Sequence, residues 1–198
     1  MNNTYSPLAS ATLGSGATLH RPAQALPEQV TLDSPAVDVM TDLKVVTGVT
    51  VDPMVSIDAA QERMRQYGVR LLLVMDHKNE LVGLITTTDI LGEKPMQVIQ
   101  TRGGTRGEIL VRDIMTPQEK LEVLSMSDVQ HAKVGNVVAT LRASGRQHAL
   151  VADKGEPGSR QVVRGILSAS QLAKSLGTPI HTADVARTFA EIEGSLSK

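Results

Sequence analysis

The chain contains no cysteine and no tryptophan. Disulfides, thiolate nucleophiles, zinc knuckles and iron–sulfur clusters are thereby excluded together. The aromatic residues are Tyr5, Tyr67 and Phe189 alone, too few to stack the bases of a single-stranded nucleic acid. Charge of one sign is also lacking. Lys+Arg 20 against Asp+Glu 21 leaves a formal net charge of −1, which gives neither an electrostatic footprint for nucleic acid nor a polybasic handle for a membrane surface. The longest strongly apolar run, Leu71–Met75, falls far short of the ~20 residues needed to cross a bilayer. Met1–Gln29 shows no basic stretch followed by an apolar one, so no secretory leader is expected and a cytoplasmic location is.

Catalytic signatures are equally scarce. His20, His77, His131, His148 and His181 are scattered, without metal-ligand spacing among themselves or with carboxylates. No serine sits in a Gly-x-Ser-x-Gly elbow. Gly103-Gly104-Thr105-Arg106-Gly107, with Arg102 and Arg106 in reach of an anion, lacks the Lys-Ser/Thr that completes a phosphate-binding loop, and a solvated linker is the reading preferred for it. No catalytic role is expected, and the core must be aliphatic. With 41% hydrophobic residues over 198 positions, one domain or two small ones are within reach.

What the chain does have is an internal repeat. Asp38-Val39-Met40-Thr41 recurs as Asp113-Ile114-Met115-Thr116, an offset of 75. Met64–Gly68 recurs in kind as Leu141–Gly145, and Leu73–Asp76 as Leu150–Asp153, both at 77. Gly83-Leu84-Ile85-Thr86-Thr87-Thr88 matches Gly165-Ile166-Leu167-Ser168-Ala169-Ser170 at 82. The offset grows where a loop lengthens, at Lys154–Gln161. Four blocks in one order mark a duplication whose unit is too long for a solenoid.

Each half reads as strand–helix–strand–strand–helix. In the first, Ile57, Ala60, Met64 and Tyr67 form one helical stripe, with Ser56 as N-cap and Gly68 at its end. Leu71–Met75 reads as a buried strand, Asp76–Glu80 as a turn, Leu81–Thr86 as a second strand, and Thr88–Leu91 as a short helix. In the second, Val134, Val137, Val138 and Leu141 form the stripe, with Gly145 at its end and strands near 148–152 and 162–167. The expected organisation is a flexible tail (1–30), a first repeat (31–92), a Gly-rich linker (93–108), a second repeat (109–178) and a C-terminal helix (179–198), whose Val185, Phe189 and Ile192 lie at helical spacing.

Gly83–Ile90 is the most informative stretch. Hydroxyl residues leave a strand and an acid follows in the first helical turn. One reading is structural, with Thr86 or Thr88 capping the helix and Asp89 complementing its dipole. The other is a ligand site, in which helix-start N–H groups and a threonine hydroxyl meet phosphate and the carboxylate accepts a ribose diol.

This arrangement resembles the tandem cystathionine-β-synthase (CBS) domain pair, or Bateman module, from about Val37 to Leu176. The features that carry it are Met40-Thr41, Tyr67-Gly68, Leu71–Met75 and Gly83 through Asp89, in order and in duplicate. The resemblance implies an α/β (α+β) fold of two β-α-β-β-α repeats packed as a pseudo-twofold pair with two clefts. It further implies a homodimer, and adenine nucleotides (AMP, ADP or ATP) as ligands rather than catalytic cofactors, in a role of energy or metabolite sensing. It places Thr86 and Thr88 against phosphate and Asp89 against ribose, with Arg70 near phosphate or, alternatively, an exposed strand-edge residue. The second repeat departs from the pattern: Ser168 and Ser170 keep hydroxyls, but Gln171 replaces the acid, and a neutral amide is the weaker acceptor. His148 there faces phosphate or is a satisfied core histidine. Beside the nucleotide sensor stand a ligand-free dimerisation or docking scaffold, an accessory of an enzyme on another chain, and a sensor of another adenosyl ligand such as S-adenosylmethionine. A target protein is expected in any regulatory reading.

Overall fold

The structure, a computed structural model, describes residues 11–12, 15–18, 22–153 and 160–182. The expected C-terminal helix, apart from its leading residues through Thr182, lies outside the described residues.

The helices form where stripes and caps coincide. Helix α1 (Ile57–Tyr67) starts on Ser56, whose hydroxyl accepts from the Ala59 N–H at 3.3 Å, and stops at Gly68 in the left-handed region, φ 64°. Ile57, Ala60 and Met64 are buried, but Tyr67 is 56% exposed with Arg63 over its ring at 5.5 Å. The stripe therefore ends one member earlier than the sequence pattern implies, because the chain turns away at Gly68. Its counterpart in the second half (Val134–Ser144) buries all four expected residues and also ends on a left-handed glycine, Gly145. Short helices Thr87–Leu91 (α2) and Ala169–Leu176 follow the long strands of the first and second halves.

The sheets correct the picture of self-contained repeats. The first runs Thr50–Val51, Leu71–Met75, Leu81–Thr86 and then Thr116–Pro117, a strand from the second half. The second runs Thr41–Asp42, from the first half, then Val162–Ser168, His148–Asp153 and Val123–Ser125. Numbered along the chain, the orders are β2-β3-β4-β5 and β1-β8-β7-β6. Each Met-Thr segment therefore serves the sheet of the other half: Thr41 opposes Ile166 and Thr116 opposes Leu84, both antiparallel.

The cores follow the same exchange. Ala36, Val39 and Met40 are buried with Val134, Val137, Leu141 and Leu167. Ile109, Val111 and Ile114 are buried with Ile57, Met64, Leu72 and Ile85. A third cluster joins the two sheets face to face through Leu71, Leu73 and Leu150. Arg164 on β8 pairs with Asp42 of the exchanged strand, both side chains largely buried.

Two further expectations change. The stretch 93–108 is not an open linker, since Lys94–Arg102 forms helix α3. Arg102 donates to both carboxylate oxygens of Asp113 at 3.0 and 3.1 Å, and Arg106 Nε reaches Asp58 at 3.1 Å. The two arginines are thus paired with carboxylates rather than free for an anion. Nor is the end of the tail loose: Gln24 and Val30 are hydrogen-bonded to both halves of the chain.

Gly83 marks a close crossing against backbone. A β-carbon there would stand 2.6 Å from the Thr116 carbonyl oxygen and 2.9 Å from Met115 Sδ. A backbone oxygen fixed in a sheet cannot give way as a side chain can. Gly83→Ala is expected to destabilise the fold by about 1–3 kcal/mol, measurable as a lowered denaturant midpoint. An unchanged midpoint would show that the exchanged strand does not pack this closely.

Candidate functional site

Strand exchange leaves a cleft of about 470 Å³ where α2 and α3 face the start of β7. Its floor is apolar, made by Leu84, Leu121 and Leu150. One wall carries Thr86, Thr88, Asp89 and Lys94; the other carries Arg146, Gln147 and His148. Lys120 and Glu122 close the side nearest β5. A second hollow of about 510 Å³ adjoins it and shares Lys94, Gln97, Thr116 and Lys120.

Asp89 is held on three sides. Its Oδ2 accepts from the Thr86 N–H at 2.8 Å and the Thr86 hydroxyl at 2.7 Å, while the Asp89 N–H donates to that hydroxyl at 3.3 Å. This is a capping box, so the structural reading of the stretch is realised. The third partner is Lys94, which donates to Asp89 Oδ1 at 2.5 Å and to the Ile114 carbonyl at 3.1 Å. The ligand reading is not displaced, because Thr88 is exposed at the rim and Oδ1 has one charge-assisted donor that a ligand can replace.

His148 lines the cleft with Nδ1 buried and without a hydrogen-bond partner. Burial pushes its pKa down to about 4, the Arg70 charge adds to this, and the Asp89 carboxylate opposes it. The ring is therefore neutral near pH 7. It offers a cleft ligand a donor or an acceptor, not a positive charge.

The eight residues singled out from the sequence fall into three places. Thr86, Thr88, Asp89 and His148 share the cleft. Ser168, Ser170 and Gln171 stand at the start of the helix Ala169–Leu176, on the other sheet. There the Ser168 and Ser170 hydroxyls meet at 2.9 Å and the Gln171 amide donates to Ser175 Oγ at 3.3 Å. With no acid to complete it, no capping box forms. Arg70 is exposed and does not line the cleft; its carbonyl accepts from the Thr87 N–H at 3.0 Å. The repeat offset explains this, since the position matching Arg70 is Gln147, which does line it. The cations sequence reasoning missed are Lys94, Lys120 and Arg146. Lys94 had a signal, five residues beyond Asp89, but it fell in the supposed linker.

Residues 36–95 match the CBS domain family. That stretch is a CBS domain. The match covers the first repeat. An uncharacterised conserved protein from Pyrococcus horikoshii superposes with a TM-score of 0.52 at 23% identity, over 73% of this chain and 93% of its own. The likeness spans both halves and matches the observed α/β pair. CBSX2 in complex with AMP gives a TM-score of 0.48 at 23% identity, over 71% and 94% of the two chains. A putative signal-transduction protein with CBS domains from Burkholderia ambifaria MC40-6 gives 0.49 at 22%, over 65% and 82%. No curated protein matches the chain. Among the described residues no helix is long and apolar enough to cross a membrane, and no cluster of three or more potential metal ligands occurs.

His148 gives the protein a pH signature. Its pKa is lowered from 6.5 to about 4, so between those values the unfolded chain binds the extra proton. Stability is full above about pH 6.5 and is lost as pH falls toward 4. His148→Leu, which copies the matching Leu71, removes that contribution. Melting temperature measured from pH 7 to 4 is expected to fall less steeply in the variant, and parallel curves would show that His148 is not buried neutral.

Proposed function

We propose that this CBS-domain protein is a non-catalytic regulatory module that binds an adenine nucleotide in the Thr86–Asp89 cleft. The observation that carries the reading is the cleft's composition. An apolar floor suits a flat base, Asp89 suits a ribose diol, and Lys94, Lys120 and Arg146 suit phosphate. Arg146 is itself paired with Glu122 at 2.8 Å and Lys94 with Asp89 at 2.5 Å, so either cation exchanges a carboxylate for phosphate on binding.

Binding in this reading exchanges one partner of Asp89 for another. The ribose hydroxyls take Oδ1, and Lys94 swings from the carboxylate to phosphate. Lys94 also holds the Ile114 carbonyl, at the end of the helix Val111–Ile114 that the second half lends to the first core. Releasing it alters how the two halves are tied. The response is a population shift, and a tenfold preference for one arrangement contributes only about 1.4 kcal/mol. The regulated target must therefore sit near balance without ligand. The chain is proposed to act as a homodimer on a target protein, in the cytoplasm.

A second reading is favoured by the Lys94–Asp89 pair itself. An acid already neutralised needs no ligand, and the module would then be a dimerisation or docking scaffold. Calorimetric titration of AMP, ADP, ATP and S-adenosylmethionine into the wild type and Asp89→Asn separates the two. The amide keeps an acceptor for the Thr86 N–H, so the fold is retained. Saturable nucleotide binding weakened at least tenfold in the variant is the expected result. Tight binding of S-adenosylmethionine alone would move the ligand class away from phosphate, and no heat from any of the four would leave the scaffold.

A further inference from the structure

The repeat offset of 82 maps the α2 side of the first cleft onto the second: Asp89, Gly92 and Glu93 correspond to Gln171, Lys174 and Ser175. In the first half these positions face an open cleft, and Glu93 is exposed. In the second half Ser175 is only 3% exposed. What buries it is the chain's own segment before the first repeat.

Gln24 anchors that segment. Its Nε2 donates to the Met40 carbonyl at 2.9 Å, and its Oε1 accepts from the Asp42 N–H at 2.7 Å. Leu43 N–H bonds to Arg164 on the β8 side, so by alternation the Asp42 N–H points out from the free edge of β1. A side-chain amide, donor and acceptor together, pairs that edge as a neighbouring strand would. Three residues on, the Pro27 carbonyl accepts from Ser175 Oγ at 3.1 Å, and the Val30 N–H donates to the Ser175 carbonyl at 2.9 Å. Leu26–Val30 and Gln171 then enclose a hollow of about 500 Å³.

The residue types beneath agree with this. At both positions on its α2 side where the first cleft has a carboxylate, the second has a neutral polar group, Gln171 for Asp89 and Ser175 for Glu93. A carboxylate under a segment that brings no cation is costly to desolvate; here the Gln171 amide donates to Ser175 Oγ and the Ser175 hydroxyl to the Pro27 carbonyl. We propose that Gln24–Val30 is a built-in cover over the second cleft, leaving one exchangeable ligand site per chain. The count of sites rests on the function proposed above; the cover does not.

The absence of cysteine allows a direct test, because Gln171→Cys introduces a single thiol beneath the segment. Its reaction with a maleimide is expected to be at least tenfold faster when Gln24→Ala and Ser175→Ala are added. Equal rates with and without the latch changes would overturn the cover. Amide hydrogen exchange on the unaltered chain provides an independent reading. The Asp42 N–H should be protected and lose protection in Gln24→Ala, and free-peptide exchange in the unaltered chain would also overturn it. AMP titration should give one site per chain, and two would refute closure of the second cleft. If AMP fails to bind, the nucleotide reading falls while thiol and amide rates still decide the cover.

Discussion

The exchange of β1 and β5 between sheets is the constraint on which the rest depends. Each is two residues long, too short to hold a sheet edge by backbone hydrogen bonds alone. They are kept in place by what precedes them: the turn Ala36–Val39 and the helix Val111–Ile114 are each buried in the opposite half's core. The glycines beneath make the approach possible. Gly165 lies against Met40, and Gly83 against Met115 and the Thr116 carbonyl. Neither half completes its apolar core without the other, and the leucine cluster between the sheets then sets their face-to-face packing.

The cleft is a consequence of that interdependence. Its hydroxyls and acid come from one repeat, its histidine and Arg146 from the other, and Lys94 bridges them through Asp89 and the Ile114 carbonyl. The cleft is thus lined by residues of both halves. The two clefts are no longer equivalent, although the sequence blocks that built them are. Asp89 carries a charge and is paired with a lysine; Gln171 carries none and lies beside the segment Leu26–Val30.

Much of the secondary structure was legible because the signals are local. Ser56 and Gly68 bracket α1, Gly145 ends its counterpart, and the continuous apolar run Leu71–Met75 forms the buried β3. The site was legible in part for the same reason, since a capping box needs only Thr86 and Asp89 three residues apart. Lys94, Arg146 and the placement of Arg70 were not, because each depends on which sheet faces which helix. A Gly-rich stretch looked like a linker because composition cannot show that Arg102 and Arg106 would find Asp113 and Asp58.

By itself the sequence determined the duplication, the order of elements in each repeat and the helix start at Thr86, all properties of spacing and of caps within a few residues. Tertiary structure alone decided that Thr41 and Thr116 pair with the opposite repeat's sheet, that His148 is buried and uncharged, and that Gln24 closes over β1. Those outcomes join residues far apart in the chain. They arise from filling shared apolar cores and satisfying edge backbone groups, which no local pattern encodes.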